Sequence, residues 1–107
     1  MSVAGLLGRL FGKGPPRVRV HVLIKGRIGE GWQDIDRTVE LPEGATLATL
    51  FEHAEREGIP LRDAVAKSPH LRHTLMLNGE RCPVQENMGR ALRDGDQVYL
   101  LAPLVGG

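Results

Sequence analysis

Between Arg17 and Lys25 the chain changes character at nearly every step. Val18, Val20, Val22 and Ile24 take one set of positions, and Arg17, Arg19, His21 and Lys25 take the other. An extended backbone sends successive side chains to opposite faces, so a period of two predicts a strand with one buried and one wet side. A slip of one residue in its pairing would carry the whole apolar set into water, which fixes the register strongly. Leu23 is the exception, an apolar residue on the wet side.

The rest of the chain follows from this strand. Gly26-Arg27-Ile28-Gly29-Glu30-Gly31 reads as a turn. It matches neither the phosphate-loop spacing nor the dinucleotide fingerprint, and no helix signal follows it. A second strand is expected over Gln33 to Leu41, with Val39 and Leu41 inward and Asp36, Thr38 and Glu40 outward. Pro42-Glu43-Gly44-Ala45 breaks it. Thr46 is then placed to cap a helix that runs to Glu57 and closes at Gly58. Leu47, Leu50, Phe51 and Ala54 form its apolar stripe. His53 falls among Glu52, Glu55 and Glu57 and reads as a solvated histidine.

Pro60 opens a short helical turn to about Ala66, with Leu61 and Val65 inward, and Ser68-Pro69 ends it. His70 and His73 have a spacing that suits a metal on one helix face. Pro69 and the strand that follows argue against a helix there, so no metal is expected. A third strand covers Thr74 to Leu77, with Leu75 and Leu77 inward and Met76 outward. Asn78-Gly79 is a hairpin dipeptide. An extended piece is expected around Pro83-Val84. Asp94-Gly95-Asp96 marks a turn before a last strand, Gln97 to Leu101, with Val98 and Leu100 inward and Tyr99 and Leu101 outward, stopped by Pro103. One main helix on a mixed sheet is an α+β fold with the β-grasp, ubiquitin-like layout.

A chain of 107 residues holds one core. Its formal net charge is +1, but residues 1–20 carry Arg9, Lys13, Arg17 and Arg19 without an acid, leaving −3 for the remainder. The basicity sits in an arm, so nucleic acid is not an expected partner. Gly12-Lys13-Gly14-Pro15-Pro16 reads as a linker, which divides the chain into a flexible arm (1–16), a folded domain (17–103) and an extended tail (104–107). The arm could form a short apolar stripe through Val3, Leu6, Leu7, Leu10 and Phe11, while Gly5, Gly8 and Gly12 favour disorder. It lacks the early cationic region of a signal peptide. No apolar run approaches the ~20 residues of a membrane span, and Cys82, the one cysteine, cannot form an internal disulfide. A reducing cytoplasm is the expected compartment, and Cys82 reads as structural.

Four segments carry a family resemblance: Leu41-Pro42-Glu43-Gly44-Ala45-Thr46-Leu47, Leu77-Asn78-Gly79-Glu80, Asp94-Gly95-Asp96-Gln97-Val98 and Leu101-Ala102-Pro103-Leu104-Val105-Gly106-Gly107. In this order and spacing they resemble the MoaD/ThiS sulfur carriers, over residues 17–107. The last segment is more similar to the MoaD branch, the small subunit of molybdopterin synthase. Ala102 departs from it, standing where that branch often has a second proline.

The resemblance implies that the protein is a carrier rather than an enzyme, with no cofactor of its own. A partner adenylating enzyme of the ubiquitin-activating type would use ATP to convert the Gly107 carboxylate to an acyl-adenylate. A sulfur donor would then leave a thiocarboxylate, which a larger synthase subunit would receive for molybdopterin synthesis. The chemistry explains the tail. A free α-carboxylate is ionised at neutral pH and is a poor electrophile until activated. Gly106 and Gly107 are narrow enough to enter another protein's nucleotide site, with Val105 and Leu104 threading behind them. Leu23, Met76, Tyr99 and Leu101 are apolar residues assigned to the outward sheet face, and a patch of them beside the tail would dock such partners. Two other readings share the same residues: a ubiquitin-like modifier joined to target lysines through Gly107, and an interaction domain with an inert tail. No nucleophile paired with a base and no carboxylate pair is apparent.

Overall fold

The computed structural model describes residues 16–102. The elements, in chain order, are β1 (Arg17–Ile28), β2 (Gly31–Pro42), α1 (Leu47–Arg56), α2 (Leu61–Lys67), α3 (Leu71–Thr74), β3 (Met76–Leu77), β4 (Glu80–Arg81), α4 (Val84–Asn87) and β5 (Gln97–Leu101). The strands form one mixed sheet in the order β2-β1-β5-β3-β4. β5 lies parallel to β1, and the other pairings are antiparallel. This is the expected β-grasp arrangement.

The alternation in β1 does what its period requires. Val20, Val22 and Ile24 are fully buried, together with Val39 and Leu41 of β2 and Val98 and Leu100 of β5. Leu47, Leu50, Phe51 and Ala54 cover this face from α1. Thr46 opens α1 by a reciprocal cap: its hydroxyl accepts from the Thr49 amide at 3.4 Å, and its own amide donates to the Thr49 hydroxyl at 3.1 Å. The helix ends in a Schellman motif. The Ile59 amide donates to the Ala54 carbonyl at 2.8 Å and the Gly58 amide to that of Glu55 at 3.2 Å, with Gly58 at φ +76°.

Four local expectations are corrected. The third strand is Met76–Leu77 rather than Thr74 to Leu77, because Thr74 closes the helical turn α3 and Leu75 caps it. The first turn is two residues, not six: β1 continues to Ile28, which pairs with Gly31, and Gly29 takes φ +62°. Ile28 is 3% exposed, and its burial draws both strands onward. His70 and His73 do share a helical turn, because Leu71 is buried and its amide donates to the Ser68 carbonyl at 2.8 Å, starting α3 just beyond Pro69. The segment expected to be extended around Pro83-Val84 instead begins α4, which packs Val84 inward, and the strand after the Asn78-Gly79 turn is Glu80–Arg81.

Candidate functional site

Two of the quoted segments, far apart in the chain, meet. Asn78 has φ +54° and Gly79 +84°, the two positive values a type I′ turn requires. The Asn78 side-chain amide donates to Asp96 Oδ1 at 2.8 Å, and its carbonyl oxygen accepts from the Gln97 amide at 2.9 Å. Asp96 Oδ2 accepts from the Arg93 amide at 2.8 Å. Asp96 is the buried polar residue among those described, and these bonds satisfy it. A third segment is tied in similarly: the Leu92 amide donates to Ala45 and the Leu47 amide to Arg90. These motifs build turns. They gather where β5 begins, beside His21, whereas the chain leaves β5 beside Lys25.

At that exit the sheet presents its outer face. Leu23 pairs with Tyr99, and Tyr99 with Met76, so three of the four expected docking residues form one row across β1, β5 and β3. Adjacent strands are ~4.8 Å apart, giving a row ~10 Å long. Each is half-buried. Asp36 continues the row on β2 and Arg81 on β4. Leu101, the fourth, pairs with Lys25 one step nearer the exit and is 48% exposed. β3 and β4 extend the edge of the sheet rather than folding over this face. Gly107, Gly106, Val105 and Leu104 lie outside the described residues, as does the arm up to Pro15.

The structure adds two residues to the face. Trp32 pairs with Arg27, one step beyond Lys25, and is 56% exposed, the largest apolar side chain so placed among the described residues. The alternation of the second strand, extended from Gln33 back to Gly31, puts it on the outward face. His21 contacts Asp36 through Nε2 and sets its ring edge-on to Tyr99, with centroids 5.8 Å apart. This holds the tyrosine ring at a defined place in the row. Cys82 is a buried free thiol with its amide bonded to the Leu75 carbonyl at 2.7 Å. No group of three or more potential metal ligands occurs among the described residues, and none of their helices is long and apolar enough to cross a membrane.

The model of the ThiS family matches the sequence over residues 20–107. The chain belongs to that family. No curated protein matches it. ThiS-family proteins are small sulfur carriers rather than catalysts, and they work in cofactor biosynthesis with adenylating enzymes and synthase partners. The family match extends over the tail and over every strand of the docking row.

Proposed function

We propose that this ThiS-family protein carries sulfur as a thiocarboxylate on Gly107, and that the carried sulfur goes to molybdopterin. The observation that carries the reading is the apolar row Leu23-Tyr99-Met76, whose middle member lies on the strand that leads into the Gly-Gly tail. A carrier that hands its own terminus to another protein's site needs both parts: a face to hold the partner and a narrow arm to reach past it. Without a held face, a tail would have to find its channel at solution concentration. Holding it converts that search into an intramolecular step.

On this reading the carboxylate oxygen of Gly107 attacks the α-phosphorus of ATP in the partner's site and releases pyrophosphate. A sulfur nucleophile then adds to the acyl carbon and expels AMP. The carrier's part is delivery: activation joins its carboxylate oxygen to the α-phosphorus, and the sulfur step exchanges that oxygen for sulfur at the acyl carbon. The molybdopterin assignment draws support from the terminal segment Leu101-Ala102-Pro103-Leu104-Val105-Gly106-Gly107, which is similar to that branch.

Incubation with a molybdopterin-pathway adenylating enzyme, ATP and a sulfur donor should raise the intact mass by the difference between a sulfur and an oxygen atom. Deleting Gly107 should abolish the gain. Loading only by a thiamine-pathway enzyme would move the protein to that branch, and no loading by either would count against the carrier reading.

A further inference from the structure

Ala102 is the residue at which the sheet ends and the tail begins. Its amide donates to the Lys25 carbonyl at 2.8 Å, which carries the parallel ladder one step past β5. The residue is buried, at 6% exposure. Continuing the register Ile24↔Leu100, Lys25↔Leu101 puts it beside Gly26. Facing Cβ atoms on neighbouring strands ordinarily stand about 4.5–5.5 Å apart. A Cβ built on Gly26 would lie 2.8 Å from the Ala102 Cβ and 2.8 Å from the Ala102 carbonyl oxygen. Ordinary van der Waals contact begins at 3.4 Å, so a side chain at position 26 would force Ala102 back from β1.

Gly26 also has φ +120°, where side chains are strongly disfavoured. The strand has no need of this. A glycine inside a strand weakens it, and the flanking inward positions are filled by Ile24 and Ile28, both buried. What the glycine does permit is the close approach of another stretch of backbone, and the stretch that approaches is the root of the tail.

We propose that Gly26 is a positioning residue for the loading reaction: by withholding a side chain it lets Ala102 seat against β1, and so fixes the point and heading from which the tail departs. The inference rests on the tail-loaded carrier reading above. Five residues lie between Ala102 and the terminal carbon, a reach of about 17 Å when extended. A swing of about 10° at the root moves the far end by about 3 Å over that reach. A misplacement of about 1 Å at a reacting centre can cost about 10²-fold in rate.

The test compares Gly26→Ala with the wild type in the full chain. Amide hydrogen exchange reads the root directly. Exchange at Ala102 should be about tenfold or more faster in the variant, while the amides of His21 and Leu92, bonded to Asp96 and Ala45, keep their protection. Steady-state adenylation by the cognate enzyme reads the reaction. Its kcat should fall about tenfold or more with KM within about twofold, because the docking face is unaltered. Adding Ala102→Gly removes the one obstructing side-chain atom and should restore part of both signals.

Unchanged exchange at Ala102 overturns the proposal. So does a loss of protection shared by His21 and Leu92, or a rise in KM at constant kcat, since Gly26 would then serve folding or docking. A wild-type chain that no adenylating enzyme accepts sinks the carrier reading itself, and the positioning role with it. An active wild type with an equally active variant sinks the positioning role alone.

Discussion

Asn78 carries two demands that few residues meet together. Its backbone sits at φ +54°, a left-handed conformation that asparagine tolerates better than most side chains, and its amide group bonds both Asp96 and the Gln97 amide. Asn78→Ala would lose the first and take a donor from the buried Asp96 carboxylate, at a cost of about 2–3 kcal/mol. Urea denaturation should show a lowered midpoint with an unchanged slope. Asn78→Asp separates the contributions. It keeps an acceptor for Gln97 but replaces the donor to Asp96 with a second carboxylate, which faces the first without a hydrogen bond between them. The Asn78→Asp variant should therefore unfold at lower urea than the wild type at neutral pH even though it keeps the acceptor for Gln97.

Within β5 the same alternation divides stability from docking between adjacent residues. Leu100 is fully buried and Leu101 is 48% exposed. Leu100→Ala should cost about 2–5 kcal/mol by the cavity it leaves, whereas Leu101→Ala should stay within about 0.5 kcal/mol. In adenylation assays, Leu101→Ala, Tyr99→Ala and Trp32→Ala should raise KM about tenfold with little change in kcat, the reverse of the pattern expected for Gly26→Ala. A docking face elsewhere would leave KM untouched in all three. Why β5 was readable and other elements were not has a physical basis. β1, β5 and α1 each repeat their period several times, so Val18 to Ile24 or Leu47 to Ala54 announce a buried face unaided. α3 and α4 are four residues long, each with one buried side chain, Leu71 and Val84, and one turn contains no period to detect. Their shape comes from the hollow they fill. The docking row was legible as four outward apolar residues, but its continuity was not, since it depends on β5 entering between β1 and β3. Trp32 escaped because Gly31 reads as a loop, while the pairing runs to Ile28 and Gly31. The glycine at position 26 read as a turn for the same reason, and only the approach of Ala102 gives it another role.

For the molecule as a whole, the last strand in sequence is the middle strand in space. β5 pairs with β1 on one side and β3 on the other, so the sheet cannot close until nearly the entire chain is present. Such non-local pairing favours slow folding relative to helical proteins of this size. It also joins the core to the reactive end, because β5 buries Val98 and Leu100 and then, after Ala102, continues into the tail. Two truncations should separate these duties. Ending the chain before Gln97 removes both ladders of the central strand and two fully buried side chains, and leaves β3 and β4 with no pairing to the β1-β2 hairpin. That chain should lose its cooperative unfolding transition, because the apolar faces of β1 and α1 would have no sheet to close on. Removing only Gly106 and Gly107 should act oppositely. The buried apolar residues described lie between Val18 and Ala102, so the core keeps every one of them. A loss below about 0.5 kcal/mol corresponds to at most about 4 °C in Tm for a domain this size. Calorimetry should find that small shift while mass spectrometry finds no sulfur loaded. A large drop in Tm on removing two terminal glycines would mean that the tail packs on the domain, and a tail held there is not one delivered into a partner's site.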